Sequence, residues 1–206
     1  CRHIDIAAEC KIPLLRHDVA WGYYEGYTGI KSYKKVIEAV APLVRQAAEY
    51  ARERGVKTCS ENHGYLLQDS VRMLELFAAV DHPNYGFLCD MGNFTVVDED
   101  CATAVSALSD YIVHVHAKDM LVRSGMNFDP GRGYNLSRGG NYWRGTIFGH
   151  GNVPTFQILS AIRKSGYDGY VSLEFEGMEP VLEGVEIGTQ NLQHMIEVIG
   201  EGQRYV

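Results

Sequence analysis

The sequence contains no run of eighteen apolar residues and no apolar leader core, so neither a membrane-spanning helix nor a membrane partner is expected. It has no concentrated basic segment. Its 19 Lys and Arg are scattered and outnumbered by 26 Asp and Glu, giving a formal charge of −7, which argues against nucleic acid as a partner. The five cysteines form no CxxC and no paired spacing. They are expected to be mainly buried free thiols of a reducing, cytoplasmic setting, with Cys59 and Cys89 inside strands. The chain shows no solenoid repeat and no low-complexity tail, and its length suits one sizeable domain. It lacks an initial Met, and residues 4–10 read as a helix already under way, so a piece of a longer chain is expected.

What the sequence does contain is a series of short strands that close on polar residues. The stretch YIVHVHAKD at 111–119 alternates like a strand and ends on His116, Lys118 and Asp119. VKTCSENHG at 56–64 closes on Glu61, YGFLCDMGN at 85–93 on Asp90, and GYVSLEFEG at 169–177 carries Glu174. Helical patterns lie between them, which indicates an α/β class with parallel strands. Parallel strands place their C-terminal ends on one side, so three carboxylates and one imidazole should converge there. That donor set suits a hard divalent cation.

Along the chain, residues 12–17 (IPLLRH) form the first expected strand, with Arg16 and His17 at its C-terminal end. The five expected strands lie near 12–17, 57–62, 86–91, 111–117 and 170–175. Residues 32–54 read as a helix with Val36, Ile37, Val40, Leu43, Val44, Ala47 and Ala51 on one face, and Gly55 in the position that ends it. Pro42 inside this run predicts a kink or a fresh helical start. Asp69 and either Asp98 or Asp100 are expected helix caps. Residues 120–151, with eight glycines and four arginines, show no regular pattern and read as a lid-like loop over the site. Gly149-His150-Gly151 within it is only weak evidence for phosphate. Two further helices are expected at 155–165 and about 181–199.

Four motifs carry a family resemblance: SENHG at 60–64, GFLCDMGNF at 86–94, VHVHAKD at 113–119 and GYDGYVSLEFEG at 166–177. With them the chain resembles the sugar phosphate isomerase/epimerase superfamily, the xylose isomerase-like TIM barrels with ketose 3-epimerases and inosose dehydratases among them. The resemblance implies a (β/α)8 TIM barrel, here a single partial domain over 1–206 that lacks about the first three βα units. It implies metal ligation by Glu61, Asp90, His116 and Glu174, the metal being manganese (Mn2+), with Mg2+, Co2+ or Zn2+ as alternatives. Asn93 stands where ketose 3-epimerases carry a substrate-binding histidine, and Leu67 where they carry a glutamate. The ENHG and HAKD forms are nearer to inosose dehydratases and to uncharacterised isomerase-like members of the superfamily.

The chemistry that such a site supports is proton abstraction beside a sugar carbonyl, through an enediolate that a metal ion stabilises. Glu61 and Glu174 are the candidate acid–base pair. His63, Asn93, Lys118, Arg16, His150 and Arg144 are candidate substrate contacts, His114 a hydrogen-bond donor behind His116, and Glu176 a rim contact. A metal-dependent sugar isomerase or epimerase leads. A lyase or dehydratase of the inosose dehydratase or 3-keto-glycoside deglycosidase type stands next, and a non-catalytic carbohydrate-binding barrel is the alternative of another class. The expected partner is a small-molecule sugar or cyclitol; self-association into a homo-oligomer stays open.

Overall fold

The computed structural model describes residues 1–29 and 31–200; residues 30 and 201–206 of the 1–206 span lie outside the described residues. Strands and helices alternate. The parallel strands are β1 (Leu14–Arg16), β2 (Lys57–Glu61), β3 (Tyr85–Asp90), β4 (Ile112–Ala117) and β8 (Val171–Leu173). They follow one another in the order β1-β2-β3-β4-β8. The helices are α1 (Arg2–Glu9), α2 (Tyr33–Arg52), α3 (Ser70–Val80), α4 (Cys101–Leu108), α5 (Thr155–Lys164) and α6 (Val181–Gly200). Among the described residues no helix is long and apolar enough to cross a membrane. All five cysteines are free; Cys59, Cys89 and Cys101 are buried, while Cys1 and Cys10 are exposed.

The chain divides into two compact units, one made of 1–88 with 111–113, the other of 89–110 with 114–206. In the first, β1 pairs with β2 in parallel, Arg16 opposite Cys59, and β2 pairs with β3, Glu61 opposite Leu88. Helix α2 begins at Ser32, whose hydroxyl accepts the Lys35 amide at 3.4 Å. Its buried face is Ile37, Ala41, Val44, Ala48 and Ala51, a spacing of three and four residues that keeps one side of a helix inward. Leu43, expected on that face, is 63% exposed. No fresh helical start occurs at Pro42, and α2 runs through it as one helix of 20 residues. Proline removes the hydrogen bond to the carbonyl four residues earlier. That residue, Glu38, is exposed like Pro42 itself, so water can satisfy its carbonyl. Gly55 takes a φ of 70°, two residues past the C-cap Glu53. A small core of Ile4, Ala7, Ala51 and Val56 joins α1 and α2 to β1 through Leu15.

In the second unit, β4 and β8 pair in parallel, with His116 opposite Ser172 and Ala117 opposite Leu173. Asp100, and not Asp98, caps α4 by accepting the Thr103 amide at 2.8 Å. Gly184 and Gly188 sit one turn apart on α6. A Cβ on Gly184 would lie 2.5 Å from the Phe175 ring, and one on Gly188 3.2 Å from Leu173. The two glycines therefore let α6 close on Leu173 and Phe175. Side chains alternate along an extended chain, so Glu174 between them is turned to the other face.

The patternless reading of residues 120–151 is corrected. They contribute a second, antiparallel sheet in the order β5-β7-β6, built from β5 (Asp119–Arg123), β7 (Tyr142–Thr146) and β6 (Asn135–Leu136). Val122 faces Trp143 and Leu121 faces Arg144 across it. Asp98 anchors the turn: its carboxylate accepts the Ser137 hydroxyl at 2.6 Å and the Asn141 amide at 2.7 Å, and also bonds the Gly139 backbone N–H. Met126 and Phe128, in the connection between β5 and β6, are almost fully exposed.

Candidate metal and catalytic site

In the first unit, Glu61 ends β2 with its side chain only 2% exposed, and Arg16 at the end of β1 forms an ion pair with it, Nε lying 2.8 Å from Glu61 Oε2. The same guanidinium reaches Asp18 Oδ1 at 2.9 Å and His63 Nδ1 at 3.3 Å. Trp21 donates to Asp18 Oδ2 at 3.1 Å and meets the His63 ring edge-on at 4.6 Å between centroids. Gly64 backs this arrangement at φ 84°, where a Cβ would lie 3.0 Å from the Trp21 backbone. Trp21 is 60% exposed, an open aromatic face beside two nitrogen-bearing side chains. Burial pushes the His17 imidazole below its ordinary pKa, and the Cys59 thiol up to about 12, so that cysteine is inert as a nucleophile.

The second unit holds an acidic–histidine group. Asp90 is fully buried at the end of β3. Its Oδ1 accepts the backbone N–H groups of Gly92 and Asn93, both at 2.9 Å, which fixes the carboxylate and leaves Oδ2 to face the neighbouring strands. His116 Nδ1 lies 4.0 Å from Asp90 Oδ2 and 3.3 Å from Glu174 Oε2. Two backbone bonds hold these strand ends together: Met91 N–H to His116 O at 3.2 Å and Glu174 N–H to Ala117 O at 3.0 Å. Behind His116, the His114 Nε2 is 2.9 Å from the Ser172 hydroxyl. Burial, reinforced by the His116 charge, lowers the His114 pKa.

Lys118 is 3% exposed, and its ammonium lies among three carboxylates, 2.7 Å from Glu174 Oε2 and 3.0 Å from both Asp90 Oδ2 and Glu176 Oε2. It also donates to Asn93 Oδ1 at 3.3 Å. Desolvation alone would favour the neutral amine, but the Asp90 and Glu174 charges prevail and raise its pKa far above the ordinary value. Burial likewise disfavours the Glu174 charge. Hydrogen bonding with its neighbours, His116 first, together with the Lys118 charge outweighs it and holds that carboxyl well below the usual range. The Asp90 and Glu174 carboxylates beside the His116 imidazole, with Asp90 anchored by backbone amides, form a donor set that fits a hard divalent cation.

The remaining residues singled out in the sequence have partners of their own or lie at the surface. Arg144 donates to Glu179 Oε1 at 3.2 Å and lies over the Tyr134 ring. His150 is exposed, in the turn after β7. The Gly149-His150-Gly151 amides are turned to an internal acid. Asp119 Oδ2 accepts the N–H of Gly149 at 3.0 Å and of Gly151 at 2.8 Å, while Oδ1 accepts that of Val153 at 3.2 Å. Asp119 and Asp18 were not among the sequence candidates. The one sequence sign of Asp119 was an acid directly after a strand whose following loop is rich in glycine.

The chain belongs to the xylose isomerase-like TIM barrel family, whose model matches residues 1–199. It is 28% identical over 142 residues to an inosose dehydratase of Lacticaseibacillus casei, an alignment covering 68% of this chain and 47% of that protein. Among solved structures, a D-tagatose 3-epimerase-like protein superposes with a TM-score of 0.70 at 20% identity, covering 97% of this chain and 68% of the other. A xylose isomerase-like TIM barrel protein from Mycobacterium smegmatis, solved in complex with magnesium, gives a TM-score of 0.68 at 17% identity over 96% and 64%. The chain spans about half the length of the curated relatives it matches.

Proposed function

We propose that the protein is a metal-dependent enzyme that removes a proton from the carbon beside the carbonyl of a sugar or cyclitol. The observation that carries this reading is the second unit's group of Asp90, His116 and Glu174, with His116 Nδ1 4.0 Å from Asp90 Oδ2 and 3.3 Å from Glu174 Oε2. These three residues would hold the ion, with Glu61 at the end of β2 proposed as the fourth ligand. When bound, a divalent cation supplies Lewis-acid polarisation of the substrate carbonyl and a counter-charge for the oxygen that becomes negative as the proton leaves.

The chain's own residues do the rest. Glu174, whose Oε2 lies 3.3 Å from His116 Nδ1 and 2.7 Å from the Lys118 ammonium, takes the proton. Glu61, paired with Arg16, is the second carboxyl group: protonated from solvent, it delivers that proton to carbon or to a departing hydroxyl, and Glu174 releases the proton it took to solvent. Trp21, with its exposed ring, offers an apolar face to the C–H side of a sugar ring, and His63 beside it offers a hydrogen bond. Loss of water is the favoured outcome, supported by the named inosose dehydratases among the relatives. Return of the proton to carbon, as in an isomerase or epimerase, is the second reading. The metal is manganese or magnesium, the latter being the ion in one structural neighbour.

The test is turnover of inososes, ketoses and 3-keto-glycosides by the full-length protein, with and without a strong chelator, followed by mass spectrometry. Product lighter by one water supports dehydration, product of equal mass supports isomerisation or epimerisation, and activity that survives chelation overturns the metal reading.

A further inference from the structure

The position of Lys118 has a consequence for the cation itself. Its ammonium contacts Asp90 Oδ2 and Glu174 Oε2 at 3.0 and 2.7 Å, in the same acidic–histidine group that offers ligand atoms to a metal. The lysine is built in. It is 3% exposed, its Asn93 hydrogen bond fixes one N–H direction, and its stem runs across Gly92, where a Cβ would lie 3.0 Å from Lys118 Cγ and 3.1 Å from Lys118 O. Its third carboxylate partner, Glu176, is 53% exposed in its side chain and is not one of the four potential ligands.

We propose that Lys118 is an internal competitor that sets the affinity of the site for its divalent cation. Resting on the metal reading above, this assigns the lysine a task distinct from contacting substrate. With no ion bound, the ammonium neutralises carboxylates that would otherwise repel one another. An arriving ion must draw Asp90 and Glu174 away from it and then sit beside a fixed positive charge. Glu176 is the alternative partner that receives the ammonium when the other two turn to the ion. The site is thereby weakened for any divalent ion, and occupancy becomes responsive to metal supply.

Two substitutions test this with opposite expected signs. In Lys118→Met the competitor is gone, and Mn2+ affinity measured by isothermal titration calorimetry on the full-length protein should rise about tenfold or more, the effect of removing a like charge next to a divalent ion. Thermal stability without metal should fall in the same variant, and saturating Mn2+ should raise it by more than in the wild type. In Glu176→Gln, an exposed position that will not endanger folding, the ammonium loses its alternative partner and Mn2+ affinity should fall roughly two- to fivefold. Weaker binding in Lys118→Met would overturn the proposal, because it would mean the lysine only positions the ligands. Unchanged affinity in both variants would overturn it while leaving the metal reading intact. Absence of Mn2+ binding in the wild type would overturn both.

Discussion

Replacing Asp119 with Ala should loosen the loop that follows β7, and the cost can be worked from the hydrogen bonds. The side chain is 2% exposed and accepts three amides from across the chain, those of Gly149, Gly151 and Val153, at 3.0, 2.8 and 3.2 Å. It also accepts the Met120 amide at 2.8 Å. Burial pushes this carboxyl above its ordinary pKa, and the four amides, with Gly151 foremost, oppose that rise. Removing an acceptor costs about 1–3 kcal/mol for each buried donor left unsatisfied. Gly149 lies at the surface while Val153 is buried, so part of the loop can turn its amides to water. Taking about 1 kcal/mol for each of the three loop amides gives roughly 3 kcal/mol. For a domain of this size that is a Tm lower by roughly 6–12 °C. Asp119→Asn should fall between, since an amide oxygen accepts but its NH2 group faces donors. Differential scanning calorimetry together with limited proteolysis near residues 147–153 measures both effects. A Tm within ~2 °C of the wild type for Asp119→Ala would refute the reasoning.

Two other outcomes follow from the same structure. Because His17 and His114 have pKa values lowered from 6.5 in the folded state, the unfolded chain binds more protons just below that pH. Stability should therefore be full above about pH 6.5 and decline as pH falls through the lowered values; thermal scans between pH 7.5 and 5 check this, and His114→Gln should reduce the slope. Glu174→Gln keeps an oxygen for the ion but removes the base, so turnover should drop at least ~100-fold while Mn2+ binding by calorimetry persists in weakened form.

Much of this architecture could be read from the sequence because strand alternation is a local signal. His114, His116 and Lys118 share one parity along β4 and its extension, and Glu174 and Glu176 share another beyond β8, so the facing of these side chains was legible before any coordinates. Two helix caps were legible for the same reason: Asp69, and Asp100 as one of two candidates, each bond an amide three residues on. The β5-β7-β6 sheet was not, because Met120 pairs with Gly145 across a long connection and each strand is too short to show a period. Pro42 left a kink and a fresh start both open, and only the fold shows that the helix continues through it, where the abandoned carbonyl can reach water. The three-carboxylate environment of Lys118 was likewise hidden. Sequence showed a lysine beyond a ligand histidine, and only side-chain reach showed that it turns back onto Asp90, Glu174 and Glu176.

The central claim is that a carboxylate of this site removes a carbon-bound proton with a divalent cation in place. It is tested most directly by incubating the full-length protein with inososes, ketoses and 3-keto-glycosides in deuterated water and following the carbon beside the carbonyl by NMR. Deuterium should enter that carbon in product or recovered substrate, and the exchange should stop on chelation and return with added Mn2+ or Mg2+. Turnover with no deuterium at that carbon, or exchange that continues unchanged in a strong chelator, would contradict it.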